Sequence, residues 1–155
     1  MKLLSILKKV PVTLISNGTL LNKKNLKIIK KTGINNIEIP LLGDNPDTHD
    51  KLTQNPDSWQ KVINSIYAIK KENIKLCLVF VLTKQNIKQI KNLTEIAIAL
   101  GADSLLANYF NVGGQGIKNI NLLTPSLEEF KNALKVLNKN AEKFELPITI
   151  GVPAP

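Results

Sequence analysis

The stretch "KLCLVFVLT", residues 75–83, is apolar almost throughout. A strand of this character is buried on both faces, as in a parallel sheet covered by helices. The flanking sequence agrees. "PVTLIS" (11–16), "NIEIPLL" (36–42), "ADSLLANYF" (102–110) and "PITIGV" (147–152) are further strand candidates, and a helical pattern stands between each successive pair. The order β-α-β-α-β-α-β-α-β defines an α/β protein with right-handed crossovers expected. It fits either a doubly wound sheet or a piece of a barrel.

The helices carry local signals. "LNKKNLKIIKK" (21–31) places Leu26 and Ile29 on one face, and Gly33 suits the left-handed position after it. Asn55 and Pro56 read as cap and first residue of a helix presenting Trp59, Val62, Ile63, Ile66 and Ile69. Asn86 reads as the cap of a helix with Ile87, Ile90, Leu93, Ala97 and Leu100 inward, closed by Gly101. Thr124 as cap and Pro125 as first residue open the longest helix. Glu128 and Glu129 stand early, where the dipole favours them, and Phe130, Leu134, Leu137, Ala141 and Phe144 form its stripe.

The chain has 155 residues, a one-domain length, and 43% hydrophobic residues, enough for a buried core. The formal charge of +9 comes from lysine alone. Without arginine, the fork that recognises phosphates and guanine edges is missing, so the lysines read as solvated helix faces and no nucleic-acid partner is expected. The single cysteine, Cys77, excludes an intrachain disulfide and a multi-cysteine metal site, and reads as a buried structural thiol. No stretch has the length of a signal peptide core or a membrane span, so a cytoplasmic location is expected.

Ligand sites in either architecture form at the carboxyl ends of strands. On 36–42, alternation sets Glu38, Pro40 and Leu42 on one face and Ile37, Ile39 and Leu41 on the other. The first set is the candidate ligand side. Glu38 is costly to bury unpaired, so it is either a ligand contact or a lysine partner. Pro40 is tolerable near a strand's carboxyl end or beside an open edge. Asn17-Gly18 is a tight turn or a ligand contact. "GGQG" (113–116) is a flexible loop or an anion nest. His49, the lone histidine, reads as a helix-start or surface hydrogen-bonding residue in the loop "GDNPDTHD".

Together these segments resemble the radical S-adenosylmethionine (radical SAM) superfamily, from about residue 11 to residue 150. "LISNGTLL" resembles its third barrel strand. "IEIPLLGDNPDTHDKLTQNPDSWQKVINSI" resembles the fourth strand and helix, with a His-Asp pair and Pro56-Asp57-Ser58-Trp59 at the helix entry. "IKLCLVFVLTKQNIKQI" resembles the fifth strand, with Asn86 after it. "LGADSLLANYFNVGGQG" and "LTPSLEEF" resemble the sixth strand and helix. The subgroup most similar is the peptide- and cofactor-maturation enzymes with a C-terminal auxiliary-cluster domain.

The resemblance implies an incomplete (β/α) barrel. In the family, a Cys-x3-Cys-x2-Cys loop holds a [4Fe–4S] cluster, and SAM is cleaved to methionine and a 5′-deoxyadenosyl radical that abstracts hydrogen from substrate. It also implies departures. The Cys-x3-Cys-x2-Cys loop and the Gly-Gly-Glu motif are missing, and Pro40 and Leu42 replace the family's serine and aspartate. "MKLLSILKK" aligns with the end of the second helix. Residues 1–155 are thus expected to be a single partial barrel domain, lacking the first two strands and the auxiliary domain. Ser16 and Asn17 are the expected SAM-side contacts, with Glu38 as a ribose or substrate contact and Asn108 a further candidate. The chain alone is expected to be inactive, its partner being a separate chain with the missing barrel half. A non-catalytic interaction module and a phosphate-ligand-binding domain are the alternatives.

Overall fold

A computed structural model describes residues 10–151. The expected second-helix end at residues 1–9 lies outside them. The elements are β1 (Thr13–Ile15), α1 (Lys23–Lys31), β2 (Asn36–Pro40), α2 (Pro46–Thr53), α3 (Ser58–Lys71), β3 (Lys75–Leu82), a 3-10 turn (Ile87–Gln89), α4 (Ile90–Ala99), β4 (Ser104–Tyr109), a second 3-10 turn (Gly114–Asn119), α5 (Ile120–Leu123), α6 (Leu127–Phe144) and β5 (Ile148–Gly151). The five strands pair in parallel in the order β1-β2-β3-β4-β5. A doubly wound sheet reverses its strand order partway. This sheet does not, so the chain is an open arc of a barrel.

Side-chain alternation sets the two faces of the arc. Ile37, Ile39 and Leu41 of the β2 segment and Leu76, Leu78, Phe80 and Leu82 of β3 are fully buried. They form one core with Leu26, Val62, Ile66, Ile69, Leu93 and Leu137 from the helices. Each such side chain contributes roughly 1.5–3 kcal/mol by leaving water. The edge-to-face pair of Tyr109 and Phe130, with ring centroids 4.8 Å apart, seats α6 on β4. No helix among the described residues is long and apolar enough to cross a membrane.

Several expected helix starts move. The loop "GDNPDTHD" contains α2, capped by Asn45, whose Oδ1 accepts from Thr48 N at 2.9 Å, with Pro46 in the first turn. The second Asn-Pro pair, Asn55-Pro56, does not open a helix. It links Gln54, left-handed at φ 52°, to α3. The start of α3 is capped from a distance. The Asp50 carboxylate accepts from Asp57 N at 2.7 Å, Ser58 Oγ at 2.9 Å and Trp59 N at 2.8 Å. These bonds, Trp59's foremost, hold the Asp50 carboxyl below the usual carboxylate range. The last helix begins at Leu127 instead of Pro125, because Ser126 and Glu129 form a reciprocal capping box that Thr124 cannot form. Gly33 and Gly101 take the positive φ expected of them.

Pro40 sits where β2 leaves β1. Ser16 N–H donates to the Glu38 carbonyl at 3.0 Å. The returning bond of a parallel ladder would run from residue 40 to the Ser16 carbonyl, and proline has no N–H to give. The ladder to β3 continues, with Leu41 N donating to Val79 O at 3.0 Å.

After Pro40 the chain turns tightly at Gly43. A Cβ there would lie 2.6 Å from His49 N and 2.8 Å from the Thr48 side chain, whereas one at Gly113 meets nothing within 4 Å. Gly43→Ala is therefore expected to destabilise the chain by roughly 1–3 kcal/mol, the cost of overpacking, and Gly113→Ala to leave it near wild type. Thermal unfolding of both variants checks this; equal midpoints would refute it.

Candidate site at the carboxyl ends of the strands

The face opposite the helices is the inner wall of the arc. Strand register sets its rows: Ile15, Glu38, Cys77 and Ser104 side by side, then Pro40, Val79, Leu106 and Thr149, then Val81, Asn108 and Gly151. Glu38, Pro40 and Leu42 are partly exposed, against full burial of Ile37, Ile39 and Leu41, so the expected division of faces is present. The middle row is largely apolar. The carboxylate stands in the row below it and the Asn108 amide in the row above.

Of the two readings of Glu38, the lysine pair is not found among the described residues. Among the described residues the ion pair is Lys70–Asp103, at 2.7 Å. Ser16 and Asn17 follow Ile15, the cross-strand neighbour of Glu38, and alternation turns the Ser16 side chain to the helix side with Ile39. Their oxygens serve the turn: Ser16 Oγ accepts from Gly18 N at 3.1 Å, and Asn17 Oδ1 accepts from Thr19 N at 3.2 Å and Thr19 Oγ1 at 3.0 Å. Asn108 is not brought to this group. It lies two strands from Glu38 and four residues further along, which places it about 15 Å away at ordinary strand spacing and rise. Its Oδ1 lies in the space a side chain at position 151 would take.

Asn86 is the residue the sequence reading misplaced. Its side chain is not a helix cap. It is fully buried and closes the rim. Nδ2 donates to Leu42 O at 2.9 Å and Val81 O at 2.8 Å, and Oδ1 accepts from Thr83 N at 2.8 Å and Thr83 Oγ1 at 3.2 Å. His49 holds the other side of the same residue. It is buried in α2 rather than on the surface, and its Nδ1 accepts from Leu42 N at 3.1 Å. Gln89 continues the seam, accepting from Asp44 N at 3.1 Å and donating to Thr48 Oγ1 at 2.8 Å. Lys84 N donates to Leu123 O at 2.9 Å, joining the loop after β4. An asparagine after an apolar strand is an equally good cap by sequence, so no local signal distinguishes the two roles.

The residues present do not fit an iron–sulfur cluster. Cys77 is buried mid-sheet beside Glu38 and Ser104, and burial pushes its thiol up, away from the thiolate a metal requires. Among the described residues no group of three or more His, Cys, Asp or Glu side chains is placed to hold a metal.

Two predictions follow from the rim. Asn86→Ala leaves Leu42 O, Val81 O and Thr83 N without their partner and is expected to cost roughly 2–4 kcal/mol, read by denaturant unfolding. A cost under half a kilocalorie, within the range of an ordinary surface change, would refute the clamp. Burial pushes the His49 pKa below its ordinary value, with Asp50 opposing. The folded chain thus refuses a proton that the unfolded chain accepts below about pH 6.5. Stability is complete above that pH and falls as pH drops toward the folded value. The melting temperature should decline from pH 7 to pH 5, and His49→Asn, which keeps an acceptor for Leu42 N, should flatten the decline. An unchanged slope would refute the assignment.

Comparison with known proteins places this architecture. The family model described as the Radical SAM superfamily matches residues 1–97. The chain is 26% identical over 91 residues to the AdoMet-dependent heme synthase of Methanosarcina barkeri, covering 59% of the chain and 26% of that protein. It is 22% identical over 142 residues to the PqqA peptide cyclase of Granulibacter bethesdensis, covering 92% of the chain and 38% of that protein. The chain thus spans about a quarter to two-fifths of these curated relatives. Among solved structures, Streptococcus suis SuiB bound to the precursor peptide SuiA superposes with a TM-score of 0.74 at 17% identity, over 99% of this chain and 34% of SuiB. That likeness concerns the fold: an arc of a radical SAM partial barrel. The chain belongs to the radical SAM superfamily.

Proposed function

We propose that this chain forms the later strands of a SAM-binding barrel and presents Ser16, Asn17 and Glu38 to SAM, with Asn108 bordering the substrate side. The observation that carries this is the meeting of the β1 and β2 carboxyl ends. There the Ser16 backbone bonds the Glu38 carbonyl, Asn17 follows at the strand end, and among the described residues no lysine pairs with the Glu38 carboxylate, at the edge of an apolar wall. When bound and given one electron by the family's cluster, SAM would supply hydrogen-abstraction chemistry, here toward a peptide or cofactor precursor. This chain's own part is recognition and exclusion of water. Glu38 accepts from a ribose hydroxyl, Asn17 offers its amide N–H groups, and Pro40, Val79, Val81 and Leu106 keep the inner wall dry, as reactive intermediates require.

Because Cys77 is unsuited to a cluster, the cluster cysteines come from residues outside this sequence, and we infer a partner chain with the other barrel strands. The chain alone is inactive in this reading. A buried lone thiol also suits the reducing cytoplasm. Titration of the 155-residue chain with SAM should show saturable binding, at least fivefold weaker in Asn17→Ala and in Glu38→Leu. No binding at millimolar SAM, or binding that neither substitution alters, would overturn the assignment.

A further inference from the structure

The outer surface of the arc carries a charged groove that the inner wall does not use. Cavities of about 420 and 380 Å³ share Lys23, Asn64 and Ala68, and so form one channel along α3 beside the start of α1. Lys23, Lys61 and Lys71 line it, against one acid, Glu72. The adjoining helix α1 holds five lysines and no acid in nine residues. Among the described residues the ion pair lies elsewhere, at Lys70–Asp103. Among the described residues Lys61 Nζ meets a carbonyl, Pro56 O at 3.4 Å, and no carboxylate. Two large apolar side chains stand exposed on the same channel, Leu20 at 77% and Tyr67 at 54%.

Cations and exposed apolar groups together select the ligand class. Lysines alone would attract any polyanion, but exposed ion pairs are individually weak and need an apolar anchor for specific docking. The channel follows α3 from Lys61 to Lys71, about 15 Å at helical rise, the length of two to three helical turns. Phosphate-rich strands are disfavoured by the lack of arginine. We propose that this groove docks an acidic amphipathic segment of a partner protein, its carboxylates meeting Lys23, Lys61 and Lys71 and its apolar residues meeting Leu20 and Tyr67.

Fluorescence anisotropy with the whole 155-residue chain tests this. The probe is a labelled helical peptide of alternating glutamate and leucine faces, compared with its glutamine counterpart. Binding of the acidic peptide should be saturable and at least tenfold tighter than that of the glutamine peptide. It should weaken at least fivefold from low to high salt, since screening acts on exposed charges. Lys23→Glu with Lys61→Glu should weaken it at least tenfold, while Lys135→Glu with Lys139→Glu on α6, an equal charge change, should leave it as in wild type. The proposal is overturned if the acidic peptide does not bind, if the glutamine peptide binds equally, or if the α6 pair has the same effect. Displacement by single-stranded RNA of equal charge at lower concentration would also overturn it, in favour of a nucleic-acid surface.

Discussion

The backbone of Leu42 is the constraint on which the rim of this molecule depends. Pro40 ends the ladder to β1, and two residues later the chain has left regular pairing. A backbone N–H or C=O left unpartnered in such a place is costly. Here both groups are taken by side chains: His49 accepts from the N–H, and Asn86 donates to the carbonyl. His49 is available only because α2 folds directly after Gly43. Asn86 is available only because the loop after β3 turns back over β2. One unpaired peptide thus ties a helix and a loop to the end of a strand.

The same seam explains how an open arc keeps its shape. Asn86, Gln89 and Lys84 link the loops following β2, β3 and β4, so the mouth of the arc is braced by hydrogen bonds while its body is held by the apolar layer between sheet and helices. The helices among the described residues cover one face. The other face remains lined by Val79, Val81 and Leu106, with polar groups above and below. That combination of an apolar wall and a few fixed polar groups is what a small-molecule site requires.

Much of the fold was legible in the residues. Alternation along 36–42 told apart the buried and ligand-side faces, and helical spacing identified the stripes of α3, α4 and α6, because both patterns are local consequences of backbone geometry. The α6 stripe is present at Phe130, Leu134 and Leu137, whereas Ala133 and Asn140 are buried in place of Ala141 and Phe144. What was not legible is non-local. Asn45-Pro46 and Asn55-Pro56 carry the same start signal, and only the first begins a helix, because the reach of Asp50 supplies the cap for α3. Asn86 has the local signature of a cap and becomes a cross-strand clamp once β2 lies beside it. The choice between a barrel arc and a doubly wound sheet also depended on strand order, which alternation does not encode. For the site, the closeness of Ser16, Asn17 and Glu38 follows from adjacent strands, while the distance to Asn108 depends on the register of β3 with β4.

The central claim is that SAM contacts the inner wall where β1 and β2 end. Mapping backbone amide shifts of the isotopically labelled chain during addition of SAM tests it directly. The account predicts perturbations concentrated at Ser16, Asn17, Glu38 and their neighbours on the inner wall, with α1 and α6 unaffected. Perturbations confined to the helical surface, or none at saturating SAM, would contradict it.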